Sequence, residues 1–177
     1  MSKKVSLKNV ELLAPAGSWE SLRAAISAGA DAVYFGVDKL NMRARAANNF
    51  SLKDLKKVMG IIHENNMKGY LTLNIVVYDS ELKDVEKVLI ASKEAGVDAI
   101  IASDFAVIRK ARELGVSVHL STQANVSNID ALSFFSDYVD AVVLARELNL
   151  NKIKKINEEI VKNNVVGPSG NLVRLEA

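Results

Sequence analysis

Cysteine is absent from this chain of 177 residues. That excludes disulfides, thiolate catalysis and a thiolate-bound iron–sulfur cluster within it. No block of five like charges occurs, and the formal net charge is only +2 with a pI near 8.7, so a nucleic-acid partner is permitted but not indicated by charge. No apolar run approaches the ~18 residues of a membrane span. The opening MSKKVSLKNVELL has two early lysines but no apolar core segment or small-residue cleavage site of a secretory leader, so the expected location is cytoplasmic. His63 stands in HENN without the second histidine of a zinc-protease helix, and no metal site is expected. What remains, 49% hydrophobic and 25% charged, is the composition of an ordinary globular domain.

The chain alternates short apolar runs with amphipathic, capped segments. Val10 to Ala14 reads as a first strand broken by Pro15, and Ser18 caps a helix from Trp19 to Ala28 that Gly29 closes. A second strand spans Ala32 to Val37, and after a polar loop Ser51 and Asp54 form a capping box opening a helix to about Asn65. A third strand is predicted from Gly69 to Tyr78, followed by a helix from about Glu81 to Ala95. Asp98 to Ser103 pairs with a helix capped by Asp104 and stopped by Gly115. A fifth strand lies in SVHLSTQANVSN, with Asn128 capping the next helix, and a sixth spans Ala141 to Ala145 ahead of a helix from Asn151 to about Lys162. Residues 1–162 therefore form one domain, and residues 163–177, with turn chemistry at GPSGN, read as a hairpin or loose tail.

Six strands each followed by a helix place the chain in the α/β class with a parallel sheet and right-handed crossovers. A parallel (β/α) barrel of the TIM type is favoured over an open sheet because one strand face repeatedly turns polar toward the carboxyl end. Tyr34, Gly36 and Asp38 share such a face, as do Tyr70, Thr72 and Asn74, and His119, Ser121 and Gln123. A complete barrel takes ~250 residues, so the barrel is expected to be incomplete, with about six of eight units. Its open edge predicts self-association or a homologous partner subunit.

The candidate site residues follow from this polar end. Arg43 and Arg45 in the loop after the second strand suit a carboxylate or phosphate, and Asn48 can orient the same ligand. Asn74, Ser121, Gln123 and Asn125 are candidate hydrogen-bonding groups for a polar substrate, and Arg146 follows the sixth strand. His119 is a candidate general acid or base, yet Ser121 stands ~7 Å along the same strand face, too far for a nucleophile–base pair. Glu11 is either a catalytic carboxylate or, as the better expectation for a charge in an apolar strand, the ionic partner of Arg43 or Arg146. The serine of GPSGN lacks the strand–turn–helix context of a nucleophile elbow.

Five ordered segments, ELLAPAG (11–17), GADAVYFG (29–36), RARAANNF (43–50), STQANVSN (121–128) and AREL (145–148), resemble the collagenase-like peptidase family, the "U" peptidases numbered thirty-two. The resemblance runs from about Val10 to Ile160 and implies a (β/α)8-type barrel. It also implies an oxygen-independent hydroxylase of tRNA, rRNA or a quinone precursor. The family name keeps a peptidase open, and a non-catalytic assembly subunit is the third reading. Several members of this family carry a [4Fe–4S] cluster on four cysteines beyond the segment matched here, and this cysteine-free chain departs from that pattern. The resemblance places Glu11, Arg43, Arg45, Asn48, Ser121, Gln123, Asn125 and Arg146 at the barrel mouth, facing RNA or an anionic small molecule.

Overall fold

The computed structural model describes residues 10–38 and 50–177. The arginine loop, with Arg43, Arg45 and Asn48, lies outside the described residues. Seven strands form one parallel sheet in sequence order: β1 (Leu13–Pro15), β2 (Ala32–Phe35), β3 (Lys68–Leu73), β4 (Ala99–Ala102), β5 (Val118–Leu120), β6 (Ala141–Val143) and β7 (Arg174–Glu176). Six helices alternate with them: α1 (Trp19–Ser27), α2 (Leu55–Glu64), α3 (Leu82–Ala95), α4 (Phe105–Glu113), α5 (Ile129–Ser136) and α6 (Leu150–Lys162). The sheet curls into a half-barrel with its helices outside, the incomplete barrel of six βα units that the alternation predicts.

Local chemistry accounts for the element ends. Ser18 accepts from the Ser21 N–H at the start of α1, Asp104 from Ala106 and Val107 at α4, and Asn128 from Ala131 at α5. Gly29, Gly96 and Gly115, each with φ near +70°, turn the chain from helix toward the next strand in the left-handed conformation that costs glycine least. The capping box at Ser51 and Asp54 forms, opening on a short 3-10 turn (Leu52–Asp54) that runs into α2.

One segment differs from the sequence expectation, and a second goes beyond it. The third strand stops at Leu73 rather than running to Tyr78, because the Val77 N–H turns away to the Asp104 carboxylate and the Tyr78 N–H to Glu81. Val76 and Tyr78 are left exposed despite their strand-like chemistry. Residues 163–177 bend at GPSGN with an antiparallel bridge between Val166 and Leu172, and then supply β7, which pairs parallel to β6 from Arg174 opposite Ala141 to Glu176 opposite Val143. Gly167 makes this docking possible: a Cβ there would stand 2.8 Å from the Val139 carbonyl oxygen and 3.0 Å from Asp140 Cα. Asp140 completes the anchor, accepting from the Ser169 N–H at 2.9 Å and the Ser117 hydroxyl at 2.8 Å.

The main core lies between the sheet and its helices, where Leu71, Ile100, Val118 and Leu120 of the strands meet Ile62, Leu89 and Ile108 of α2, α3 and α4. A second, smaller cluster of Ala32, Tyr70, Ala99 and Ile101, flanked by Leu13 and Tyr34, fills the concave side. Strand alternation therefore separates a large apolar face from a smaller inner face that carries the polar groups.

Candidate functional site

The inner face divides polar residues between the two ends of the strands. At the amino-terminal end, Glu11, just before β1, meets the residues that open β3 and β7. Lys68 Nζ lies 2.6 Å from Glu11 Oε2, Arg174 Nη1 lies 3.7 Å from the same oxygen, and the Tyr70 hydroxyl donates to Oε1. Glu11 is thus paired, but with Lys68 and Arg174 rather than Arg146, which follows β6 at the opposite end of the sheet; Arg43 lies outside the described residues. Burial alone would raise the Glu11 carboxyl. The bonds from Lys68 and Tyr70, with the charges of Lys68 and Arg174, outweigh it and hold the group below its ordinary value. Burial and the Glu11 carboxylate push the Tyr70 phenol upward, so it stays protonated and donates.

His119 extends this cluster into the half-barrel. It is 2% exposed, and its ring lies 4.5 Å from that of Tyr70. Arg174 Nη2 approaches His119 Nε2 at 2.8 Å. A guanidinium only donates, so Nε2 is the acceptor and the ring proton sits on Nδ1. That nitrogen has no hydrogen-bond partner and stands 3.8 Å from a carboxylate oxygen of Glu176. The imidazole lone pair is therefore occupied by Arg174. Along the open side between β1 and β7, a cavity of about 830 Å³ is lined by Glu11, Tyr34, His119, Val143, Arg174 and Glu176.

At the carboxyl-terminal end, the barrel mouth, neutral groups bond to one another, with Arg146 exposed beyond β6. Ser103 follows β4 and Ser121 follows β5; their hydroxyls donate to the same atom, Gln123 Oε1, at 3.2 and 3.3 Å. The fifth strand ends at Leu120, so Gln123 sits on a 3-10 turn, Thr122–Ala124, rather than on the strand face. Thr122 Oγ1 binds the Leu144 carbonyl at 3.1 Å, and Asn125 closes the turn with φ +53°. Asn125 and Arg146 are exposed, and Asn74 is half-buried just beyond β3. Thr72 caps the Phe35 carbonyl at 3.0 Å.

The structure thus gathers Ser121 and Gln123 at the mouth while Glu11 and His119 join a separate ionic cluster toward the other end. Lys68, Arg174, Glu176 and Ser103 are the members that sequence reasoning missed. Lys68 and Ser103 sit at strand ends whose polar signal was legible, whereas Arg174 and Glu176 belong to a tail whose strand character shows only in place. The chain has no cysteine, and among the described residues no three His, Asp or Glu side chains gather to hold a metal. The donor set present does not fit an iron–sulfur cluster. Among the described residues, no helix is long and apolar enough to cross a membrane.

Comparison with known proteins bears on this arrangement. A family model described as Peptidase family U32 matches residues 17–166. A collagenase of Porphyromonas gingivalis is 51% identical over 97% of this chain and 42% of its own length. The tRNA hydroxylation protein P of Helicobacter pylori J99 is 40% identical over 87% of the chain and 37% of its own length. The 23S rRNA 5-hydroxycytidine C2501 synthase of Escherichia coli is 36% identical over 87% and 23%. The chain thus spans well under half the length of these relatives. Among solved structures, the U32 peptidase Mk0906 superposes with a TM-score of 0.68 at 14% identity, covering 89% of this chain and 67% of that one, a likeness of fold.

Proposed function

Because the chain belongs to peptidase family U32, we propose that it is the N-terminal, substrate-side part of a barrel protein that hydroxylates a pyrimidine of RNA. The observation that carries this reading is the mouth itself. Two serine hydroxyls converge on an amide, Gln123, and neither meets an imidazole. A peptidase nucleophile needs an adjacent base to take its proton, whereas neutral hydrogen-bonding groups are suited to a nucleobase edge. The relatives named for tRNA hydroxylation and for 5-hydroxycytidine synthesis in 23S rRNA support the same substrate class. In this reading Arg43, Arg45 and Arg146 serve the RNA backbone, Asn48, Asn74 and Asn125 flank the base, and the protein works in the cytoplasm. The ionic cluster of Glu11, Tyr70, His119 and Arg174 positions the inner strands.

The test is nucleoside mass spectrometry of tRNA and rRNA from cells with and without the full-length gene. The expected result is loss of one hydroxylated pyrimidine, restored by the intact gene and not by one with Gln123→Glu. Unchanged nucleosides overturn the proposal. One observation favours a second reading: the relative at 51% identity is named a collagenase. Gelatin hydrolysis by the purified full-length protein, with RNA nucleosides unaffected in the deletion, would establish that alternative.

A further inference from the structure

We propose that Gln123 is a specificity-determining residue that presents only hydrogen-bond donors to the mouth and so reads a carbonyl oxygen of a pyrimidine base. This rests on the RNA reading given above.

An amide oxygen has two lone pairs and its nitrogen two N–H donors. At Gln123 both lone pairs are taken, one by the Ser103 hydroxyl at 3.2 Å and one by the Ser121 hydroxyl at 3.3 Å. The amide nitrogen then points away from both serines, on an exposed side chain. Its orientation is inherited from the sheet. Ala102 and Leu120 are register partners, and the Ser121 N–H donates to the Ala102 carbonyl at 2.8 Å, so the two serines are held at a set separation. The turn bearing Gln123 is held from the other side by Thr122 on the Leu144 carbonyl and by the Ala145 N–H on the Val126 carbonyl at 2.9 Å. Three strands thus converge to fix one surface amide, where an unconstrained glutamine would sample many rotamers in water.

A fixed pair of donors discriminates by what it meets. Uracil and cytosine both carry a 2-carbonyl that accepts; an exocyclic amine offers only donors and is repelled. A site built to donate rejects an analogue that lacks the acceptor, because its own N–H groups are left unpaired. One relative is named for tRNA hydroxylation and another for 5-hydroxycytidine synthesis in 23S rRNA, and the 2-carbonyl that uracil and cytosine share suits one donor set to either base.

The test is nuclear magnetic resonance on the isotope-labelled chain. Titration with uridine is expected to shift the two Gln123 side-chain N–H signals saturably, while a phenyl riboside, of similar shape but without carbonyls, leaves them in place. Gln123→Glu, nearly isosteric but without donors, should weaken uridine binding by about tenfold with the remaining spectrum unchanged. Ser103→Ala with Ser121→Ala should free the amide and reduce the preference for uridine over the phenyl riboside. Uridine that binds elsewhere with the Gln123 signals unmoved, or equal binding by Gln123→Glu, overturns the role of Gln123 while leaving the RNA reading intact. A Gly-Pro-Ala peptide that shifts these signals where uridine does not overturns the RNA reading and, with it, the assignment to a base.

Discussion

Replacing Glu11 by glutamine keeps an acceptor for the Tyr70 hydroxyl but removes the charge that Lys68 and Arg174 face. The expected cost is about 1–2 kcal/mol at pH 7, moderated because the cluster is partly exposed. Urea unfolding measures it. The pH dependence has a definite sign. The folded-state pKa of Glu11 lies below its ordinary value of 4.5, so its contribution is full above about pH 4.5 and is lost as pH falls through the folded value. Asp140, whose carboxyl burial would raise but whose bonds from Ser169 and Ser117 hold low, adds in the same direction. The acid limb of the stability curve should therefore be shallower in Glu11→Gln than in the parent; equal slopes would show that Glu11 is not among the groups responsible. At this scale the sequence left Glu11 as a catalytic carboxylate or the partner of Arg43 or Arg146, and favoured pairing because a lone carboxylate in an apolar stretch is costly. It did not show with whom: the partner Lys68 is 57 residues away, and only the register of β1, β2 and β3 brings the two together.

Among the elements, β7 is held by contacts that tolerate little change. A methyl group at Gly167 would press on the Val139 carbonyl and Asp140 Cα, both backbone atoms that cannot rotate away. Gly167→Ala should cost about 1–3 kcal/mol and raise hydrogen exchange at Arg174 and Glu176, the residues that pair with β6. Gly60→Ala is the contrasting substitution: it lies in α2, and its Cβ would meet nothing within 4 Å. There the expected change is stabilisation by about 0.5–1 kcal/mol, from helix propensity alone. Matching losses at both positions would remove the argument that close approach, rather than helix preference, sets the role of Gly167. Helix limits were legible because a cap acts within one turn of its own residue. The end of β3 was not, since Val76 and Val77 have strand chemistry and the Val77 N–H is drawn off by Asp104, a residue of the next unit.

Among the described residues, β1 and β7 each have a single strand neighbour. Val10 and Leu12 are exposed beside the β1 edge, at 60% and 56%. A strand edge that has no partner among the described residues and is flanked by apolar side chains is a template for pairing, so the 177-residue chain is expected to associate as its concentration rises. Light scattering reads this directly, and Leu12→Lys should shift the molecules toward monomer; a monomer at every concentration would mean that these edges are covered in another way. What the sequence by itself determined was local: the caps at Ser18, Asp104 and Asn128, the left-handed glycines that close α1, α3 and α4, and the alternation of strand and helix that makes a parallel, curled sheet. Each of these rests on interactions within a few residues or on a period of two or 3.6. Only the tertiary structure decided that residues 174–176 form a seventh strand, that Glu11 and His119 share Arg174, and that Ser103 and Ser121 meet at one amide oxygen of Gln123. These depend on strand register across the sheet, and register is set by how the strands pack side by side, which no single segment encodes.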